Sequence, residues 1–160
     1  MSSLIHRPPT DSGTRLRIDP AAFDRLHAHA VEGFPHEVVG VLAGRAAEST
    51  ASVAVPLQNE AEQDPARRFA VSGLKLARTE ASLEAEGLDV LGYYHSHPDH
   101  PASWSDTDRD QALPDRSYVI VSVVGPAPRV AETCAWRLSA DRAAMLSETL
   151  EVAPADRRCC

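Results

Sequence analysis

Alternation of hydrophobic and polar residues marks several short segments of this chain as β-strands. Successive side chains of a strand point to opposite faces, so a half-buried strand alternates between apolar and polar residues. Residues 15–18 alternate in this way and predict a first strand. Residues 38–44 form a short apolar run that ends in glycine, which predicts a buried strand. The further predicted strands are residues 52–57, 69–71, 90–95, 117–124 and 130–138.

Other segments carry the signals of helices. Asp19 and Pro20 place an N-cap residue before a proline at the first helical position, and apolar residues at near-helical spacing follow over residues 20–33. The other predicted helices are residues 73–87, 105–113 and 140–151. Together with the strands, they predict a mixed α/β (α+β) domain with a central sheet flanked by helices.

Composition and length restrict the possible classes of protein. A chain of 160 residues has the size of one domain, which we place at residues 14–152, between a disordered lead-in (1–13) and a polar tail (153–160). The net charge of −7 argues against nucleic acid or anionic membrane as a partner. No apolar run approaches the ~20 residues of a membrane span and no signal peptide is visible, so we expect a cytoplasmic protein.

The three cysteines, Cys134, Cys159 and Cys160, do not form the pattern of a disulfide framework. We expect them to be reduced, and we assign no function to the adjacent pair at the end of the polar tail.

The segment with the clearest chemistry is His95-Ser96-His97-Pro98, followed after six residues by Ser105-Asp106-Thr107-Asp108. Two histidines separated by one residue project to the same side of an extended segment, so both can bind one metal ion. A helix beginning at Ser105 would bring Ser105 and Asp108 onto one face. Asp108 can therefore complete a three-ligand site.

Two imidazoles and one carboxylate, with water in the fourth position, compose an open catalytic zinc site. A structural zinc site would have four protein ligands, usually including cysteine, and no cysteine lies near this segment. Such a catalytic site also benefits from a nearby proton acceptor. Glu37, directly before the apolar run 38–44, is the best candidate.

The motifs in this order resemble the JAMM (MPN+) zinc metalloprotease family, in its stand-alone prokaryotic form. The matching elements are Glu37-Val38-Val39-Gly40-Val41-Leu42-Ala43-Gly44, then His95-Ser96-His97-Pro98, then Ser105 and Asp108. The resemblance extends from about residue 18 to residue 138 and implies a cytidine-deaminase-like MPN fold with a mostly antiparallel central sheet.

The resemblance also implies roles for individual residues. One zinc ion per chain would be bound by His95, His97 and Asp108, Glu37 would be the general acid/base, and Ser105 would help to hold the developing oxyanion. The substrate would be a small ubiquitin-like or sulfur-carrier protein, cut at the peptide or isopeptide bond after its C-terminal Gly-Gly. The leaving group stays open, and an amino acid such as cysteine is one candidate.

Several of these residues have a structural alternative. Ser105 can be a helix N-cap whose hydroxyl binds a backbone N–H, and Asp108 can be an acid in the first turn. His36 and His100 are expected to be solvated, although either can touch substrate, and Trp104 either lines the cleft or packs. Two further histidines on the first helix are expected to serve packing or solvation, namely His27 and His29.

Two other functions remain open for the whole chain. One is a non-catalytic MPN scaffold, against which the intact ligand set and Glu37 argue. The other is a hydrolase of cell-wall or phage-tail peptides. The sequence predicts no oligomeric state.

Overall fold

The computed structural model describes residues 11–154. The strands are β1 (Asp11–Ile18), β2 (Val39–Arg45), β3 (Thr50–Leu57), β4 (Asp89–Pro98), β5 (Ser117–Val124), β6 (Arg129–Leu138) and β7 (Met145–Val152). The helices are α1 (Pro20–Gly33), α2 (Gly73–Ala85) and α3 (Asp106–Gln111), with a short 3-10 helix at Ala46–Glu48. None of these helices is long and apolar enough to cross a membrane.

The predicted lead-in and tail can be compared with the structure at the two ends of the described residues. Strand β1 begins at Asp11, so residues 11–13 belong to the sheet and the predicted lead-in is three residues too long. The rest of that lead-in, and the predicted tail from residue 155 onward with Cys159 and Cys160, lie outside the described residues.

The seven strands close into a barrel in the order β1-β3-β2-β4-β5-β6-β7. The antiparallel neighbours are β2 with β3 and β4, and β6 with β5 and β7. The parallel neighbours are β1 with β3 and β7, and β4 with β5. The mixed α+β class is confirmed. The predicted central layer is replaced by a closed sheet because β1 pairs on both of its sides.

Strand β2 is buried along nearly all of its length, and its residues belong to two core clusters, one with α1 and one with α2. Leu42 packs with Leu26 and Ala30 of α1, whereas Val39 and Val41 pack with Leu83 of α2. A strand covered on both sides has no polar face, which explains the unbroken apolar run that predicted it. This burial fixes the start of β2, and therefore the position of Glu37, in the interior.

The predicted helix at 140–151 is wrong, because this segment contains strand β7. Its alanine, arginine, leucine and glutamate residues favour helix when judged locally. In the structure, a turn at Ser139, whose backbone N–H donates to the carbonyl of Ala144 (2.9 Å), directs the chain back along β6. Backbone pairing with β6 on one side and β1 on the other then outweighs helix propensity.

The predicted strand at 69–71 is also wrong. These residues lie in an irregular segment between β3 and α2. The carbonyl of Ala70 accepts from the backbone N–H of Glu60 (2.8 Å), and the N–H of Ala70 donates to the Asn59 side chain (3.1 Å). A strand ladder consists of backbone-to-backbone hydrogen bonds, and one of the two hydrogen-bond partners of Ala70 is a side chain.

Candidate metal centre

The last residues of β4 place two histidines side by side. His95 and His97 share one face of the strand, while Tyr94 on the opposite face is fully buried in the core with α1. His95 pairs with Val39 of β2 and Ile120 of β5, so the backbone beneath it is hydrogen-bonded on both sides. The Nε2 atoms of the two histidines lie 3.1 Å apart.

Helix α3 brings Asp108 to these histidines. Its Oδ1 lies 3.3 Å from His95 Nε2, and its Oδ2 lies 3.9 Å from His97 Nε2. Ser105 is the N-cap of α3, and its hydroxyl accepts from the Asp108 backbone N–H (3.2 Å). The Asp108 carboxylate in turn accepts from the Ser105 backbone N–H (2.7 Å) and hydroxyl (2.8 Å). This capping box orients the carboxylate toward the histidines.

A backbone carbonyl sets the orientation of His97. Its Nδ1 lies 2.8 Å from the carbonyl oxygen of Pro101, a contact in which Nδ1 carries the proton and donates it. Nε2 is then the nitrogen with a free lone pair, and it is the one that faces His95 and Asp108. A hydrogen bond to the second ring nitrogen is the usual way in which proteins fix a metal-binding histidine.

Three side chains from β5 and β6 hold the loop that contains Pro101. Ser122 donates its hydroxyl proton to the His100 carbonyl (2.6 Å). The Trp136 indole N–H donates to the Ala102 carbonyl (3.0 Å), and the Ala102 N–H donates to Glu132 (3.2 Å). Sequence reasoning missed this support, since its members lie far apart along the chain and no spacing links them to the histidines.

Glu37 lies at the entrance of β2 and is buried, with 7% of its surface exposed. Its backbone N–H donates to the Pro65 carbonyl (2.7 Å), and its carbonyl accepts from the Asn59 side chain (2.9 Å). The same Asn59 amide donates to the Arg68 carbonyl (2.9 Å). Asn59 therefore ties the segment after β3 to the backbone of Glu37, a role that the sequence did not reveal.

The three carboxyl and imidazole groups have different tendencies to ionise. Burial, together with the charges of Asp108 and Asp64, raises the pKa of Glu37 to about 7, although His95 partly opposes this. Burial alone would raise the pKa of Asp108, but hydrogen bonds from His95 and Ser105 outweigh it and hold that pKa at about 2. Burial and neighbouring His95 lower the pKa of His97. The site thus has an ionised carboxylate, a neutral His97 imidazole and a proton acceptor poised near neutrality.

The geometry and donor types of His95, His97 and Asp108 suit a metal ion, and we call these three residues the ligand trio. Among residues 11–154, one group of three histidine, cysteine or acidic residues has converging ligand atoms, namely His95, His97 and Asp108. These ligand atoms all lie within 4.8 Å of one another. Zinc bonds of about 2.0–2.2 Å at tetrahedral angles separate neighbouring ligand atoms by roughly 3.3–3.6 Å. The observed separations of 3.1, 3.3 and 3.9 Å bracket that value. The three predicted ligand residues are therefore together and could hold a metal.

Two clefts meet at this site. The first, which we call the apolar cleft, has a volume of about 400 Å³ and is lined mainly by Val39, Leu57, Val71, Leu76, Leu113 and Tyr118. The second, which we call the polar cleft, has a volume of about 710 Å³, and its lining includes Glu37, Arg67, Arg68, His97, His100 and Ser105. Phe69, Asp108 and Gln111 line both clefts. Because Asp108 is one of them, the ligand trio lies where the two clefts join.

The remaining candidate residues differ in their positions. His100 is exposed and lines the polar cleft, whereas His36 is exposed and lines neither cleft. Trp104 lines the polar cleft and also packs against a buried cluster, so it has both of the positions that the sequence left open. His27 lies 2.8 Å from the Thr133 hydroxyl and His29 lies 2.8 Å from the Tyr94 hydroxyl, which fits their predicted packing role.

Comparison with known proteins agrees with this arrangement. The profile of the family described as prokaryotic homologs of the JAB domain matches residues 19–139. A Haloferax volcanii protein named "Desampylase" is 34% identical over 119 residues, which cover 71% of this chain and 85% of the relative. A Thermus thermophilus protein named "Probable TtuB-protein conjugate cleaving protease" is 33% identical over 113 residues, 71% of this chain and 74% of the relative.

A solved structure shows the same fold. The crystal structure of a JAB1/MPN domain protein from Archaeoglobus fulgidus has a TM-score of 0.55 and 17% identity, covering 88% of this chain and 100% of the other. At this identity the likeness concerns the fold alone. Because the family profile matches most of the chain and both relatives exceed 30% identity, the chain belongs to the family of prokaryotic JAB-domain proteins.

Proposed function

We propose that this protein is a zinc-dependent hydrolase that cleaves the peptide or isopeptide bond after the C-terminal Gly-Gly of a small ubiquitin-like or sulfur-carrier protein. The observation that carries the proposal is the convergence of the ligand atoms of His95, His97 and Asp108 at a junction of two clefts, with the buried Glu37 lining one of them. The names of the two relatives, which refer to desampylation and to cleavage of TtuB conjugates, support the class of substrate.

In this proposal, His95, His97 and Asp108 hold one zinc ion per chain. Zinc with three protein ligands leaves a position for water, lowers the pKa of that water toward ~7 and polarises a substrate carbonyl. The protein's contribution is orientation. The Pro101 carbonyl fixes the His97 ring, and the Ser105 capping box fixes the Asp108 carboxylate.

Glu37 is the proposed general acid/base. In the metal-free protein, burial raises the pKa of this carboxyl group to about 7. A buried carboxylate beside the metal site can accept a proton from water and return it to a leaving amine. Its backbone is held on one side by Pro65 and on the other by Asn59, so its position is set by the chain rather than by a ligand.

Ser105 is the proposed donor to the oxyanion that develops on the scissile carbonyl. It lines the polar cleft, next to Asp108. Its hydroxyl donates its proton to the Asp108 carboxylate (2.8 Å) and, as the N-cap of α3, accepts from the Asp108 backbone N–H (3.2 Å). The two roles are compatible if the hydroxyl turns from Asp108 to the substrate, and they are separable by mutation.

A Gly-Gly terminus fits the approach to this site. Phe69 and Gln111 line both clefts, as Asp108 does, so a substrate that spans the junction must pass beside their side chains. Glycine has no side chain and lets a backbone approach closely where larger residues collide. The apolar cleft on one side of the junction would hold the residues that precede the glycines.

The test is cleavage of a defined protein. A Gly-Gly-ended sulfur carrier with a C-terminal extension is incubated with zinc-loaded wild type and followed by mass spectrometry. We expect one cut, directly after the second glycine, and no cut in a matched carrier in which Ala-Ala replaces Gly-Gly. Binding of the carrier by the zinc-loaded protein without any cleavage would contradict the proposal and favour the scaffold function.

A further inference from the structure

The two clefts can be assigned to the two halves of a scissile bond. A general acid must lie within about 2.6–3.2 Å of the nitrogen that it protonates. Glu37 lines the polar cleft and does not line the apolar cleft. This assignment rests on the proposed function, and it places the leaving amine in the polar cleft and the acyl half of the substrate in the apolar cleft.

The leaving-group side carries positive charge without a partner. Arg67 and Arg68 are exposed side chains on the lining of the polar cleft, which His100 also lines. Within residues 11–154, no carboxylate lies within 4.0 Å of either guanidinium group, and neither group makes a side-chain hydrogen bond. By contrast, Arg15 pairs with Glu151 at 2.9 Å and Arg137 with Glu148 at 3.2 Å.

The backbone beneath these two arginines is anchored near the metal centre. The Arg67 N–H donates to the Asp64 carbonyl (3.0 Å), which closes a turn. The Arg68 carbonyl accepts from the Asn59 amide that also binds the Glu37 carbonyl, both at 2.9 Å. One side chain therefore links the backbone of the proposed proton donor to the backbone of Arg68, so both residues are anchored at the polar cleft.

We propose that the polar cleft is a leaving-group site for an amine that bears a carboxylate close to its nitrogen. Arginine is the side chain best suited to bind a carboxylate, because its planar fork offers two parallel N–H donors. A single amino acid joined through its α-amine places its carboxylate two bonds from the scissile nitrogen. The ε-amine of a lysine within a folded protein does not. The site is thus suited to the release of an amino acid from a Gly-Gly terminus.

The experiment compares two substrates that differ in one charge. A carrier that ends in Gly-Gly-Ala with a free carboxylate is compared with the same carrier ending in the alanine carboxamide, which has nearly the same shape. We expect wild type to show a KM about two- to fivefold lower for the acid, which is the scale for partly exposed ion pairs, with similar kcat. The combined variant Arg67→Gln and Arg68→Gln should lose this preference.

A matched control comes from helix α2. Arg78 is exposed, lines neither cleft, and belongs to no ion pair among the described residues. Arg78→Gln removes one positive charge, where the combined variant removes two, and it should retain the preference for the acid. Reversal of charge, Arg67→Glu with Arg68→Glu, should make the carboxamide the better substrate.

The outcomes separate this inference from the proposed function. Equal KM values for acid and carboxamide in wild type would overturn the leaving-group inference and leave the hydrolase intact. No cleavage of either substrate by zinc-loaded wild type would overturn both. Because the decisive comparison uses wild type, it does not depend on whether the arginine variants fold.

Discussion

Replacement of Glu37 by glutamine should stabilise the metal-free protein at alkaline pH. Burial raises the pKa of Glu37 from 4.5 to about 7, so the folded state disfavours its ionised form. The contribution of the protonated group to stability is present below pH 4.5 and is lost as the pH rises to 7. At pH 8 the wild type therefore retains a buried charge that Glu37→Gln lacks.

The size of the effect follows from the pKa difference. A rise from 4.5 to about 7 corresponds, at about 1.4 kcal/mol for each pKa unit, to at most roughly 3 kcal/mol. For a domain of this size, that equals a difference in Tm of roughly 6–12 °C. The metal-free Glu37→Gln variant should exceed wild type by this margin at pH 8, and the margin should shrink as the pH falls to 5.

Thermal and urea unfolding of chelator-treated wild type and Glu37→Gln, from pH 5 to pH 8, measure this margin. The titrating groups that do not interact with Glu37 are common to both proteins and cancel in the comparison at each pH. Glu86→Gln, at an exposed position after α2, is the control for removal of one carboxylate. A difference between wild type and Glu37→Gln that stays constant across the pH range would refute the raised pKa and the burial from which it follows.

Four further substitutions test the site. His97→Ala or Asp108→Ala should lose most of the bound zinc by elemental analysis, and full zinc in both would exclude this ligand set. Ser105→Ala retains the backbone N–H that binds the Asp108 carboxylate, so it should keep its zinc while turnover falls ~10²-fold. A loss of thermal stability at unchanged turnover would mean that the hydroxyl is only an N-cap. Trp136→Phe removes the donor to the Ala102 carbonyl and should weaken zinc binding about tenfold in chelator competition, and unchanged affinity would show that the loop does not need this bond.

The elements predicted correctly from sequence are those with a local signal. Asp19 and Pro20 mark the start of α1, and the apolar run at 38–44 marks β2, which needs no polar face because helices cover both sides. Strand β7 has no such signal, because its residues favour helix and only pairing with β6 and β1 makes them extended. Closure of the sheet is likewise a matter of long-range pairing, so no local pattern could predict it.

The residues of the site also divide into those that a local sequence pattern predicts and those that depend on tertiary structure. Spacing placed His95 and His97 on one face of a strand, and Asp108 one turn into a helix, and the structure has both arrangements. By contrast, the group that orients His97 is the backbone carbonyl of Pro101, and the group that holds the backbone of Glu37 is the Asn59 amide. A carbonyl is present at every residue, so its use as a hydrogen-bond acceptor depends on the tertiary path of the loop and not on residue type.

The most direct test of the central claim is to measure zinc content and cleavage on one preparation of Glu37→Gln. Glu37 lies outside the ligand trio, and glutamine keeps its size without accepting the proton. We expect zinc equal to wild type and cleavage of the Gly-Gly carrier reduced by ~10²-fold or more. Cleavage by Glu37→Gln at the wild-type rate would contradict the claim, because the proton would then be transferred by another residue.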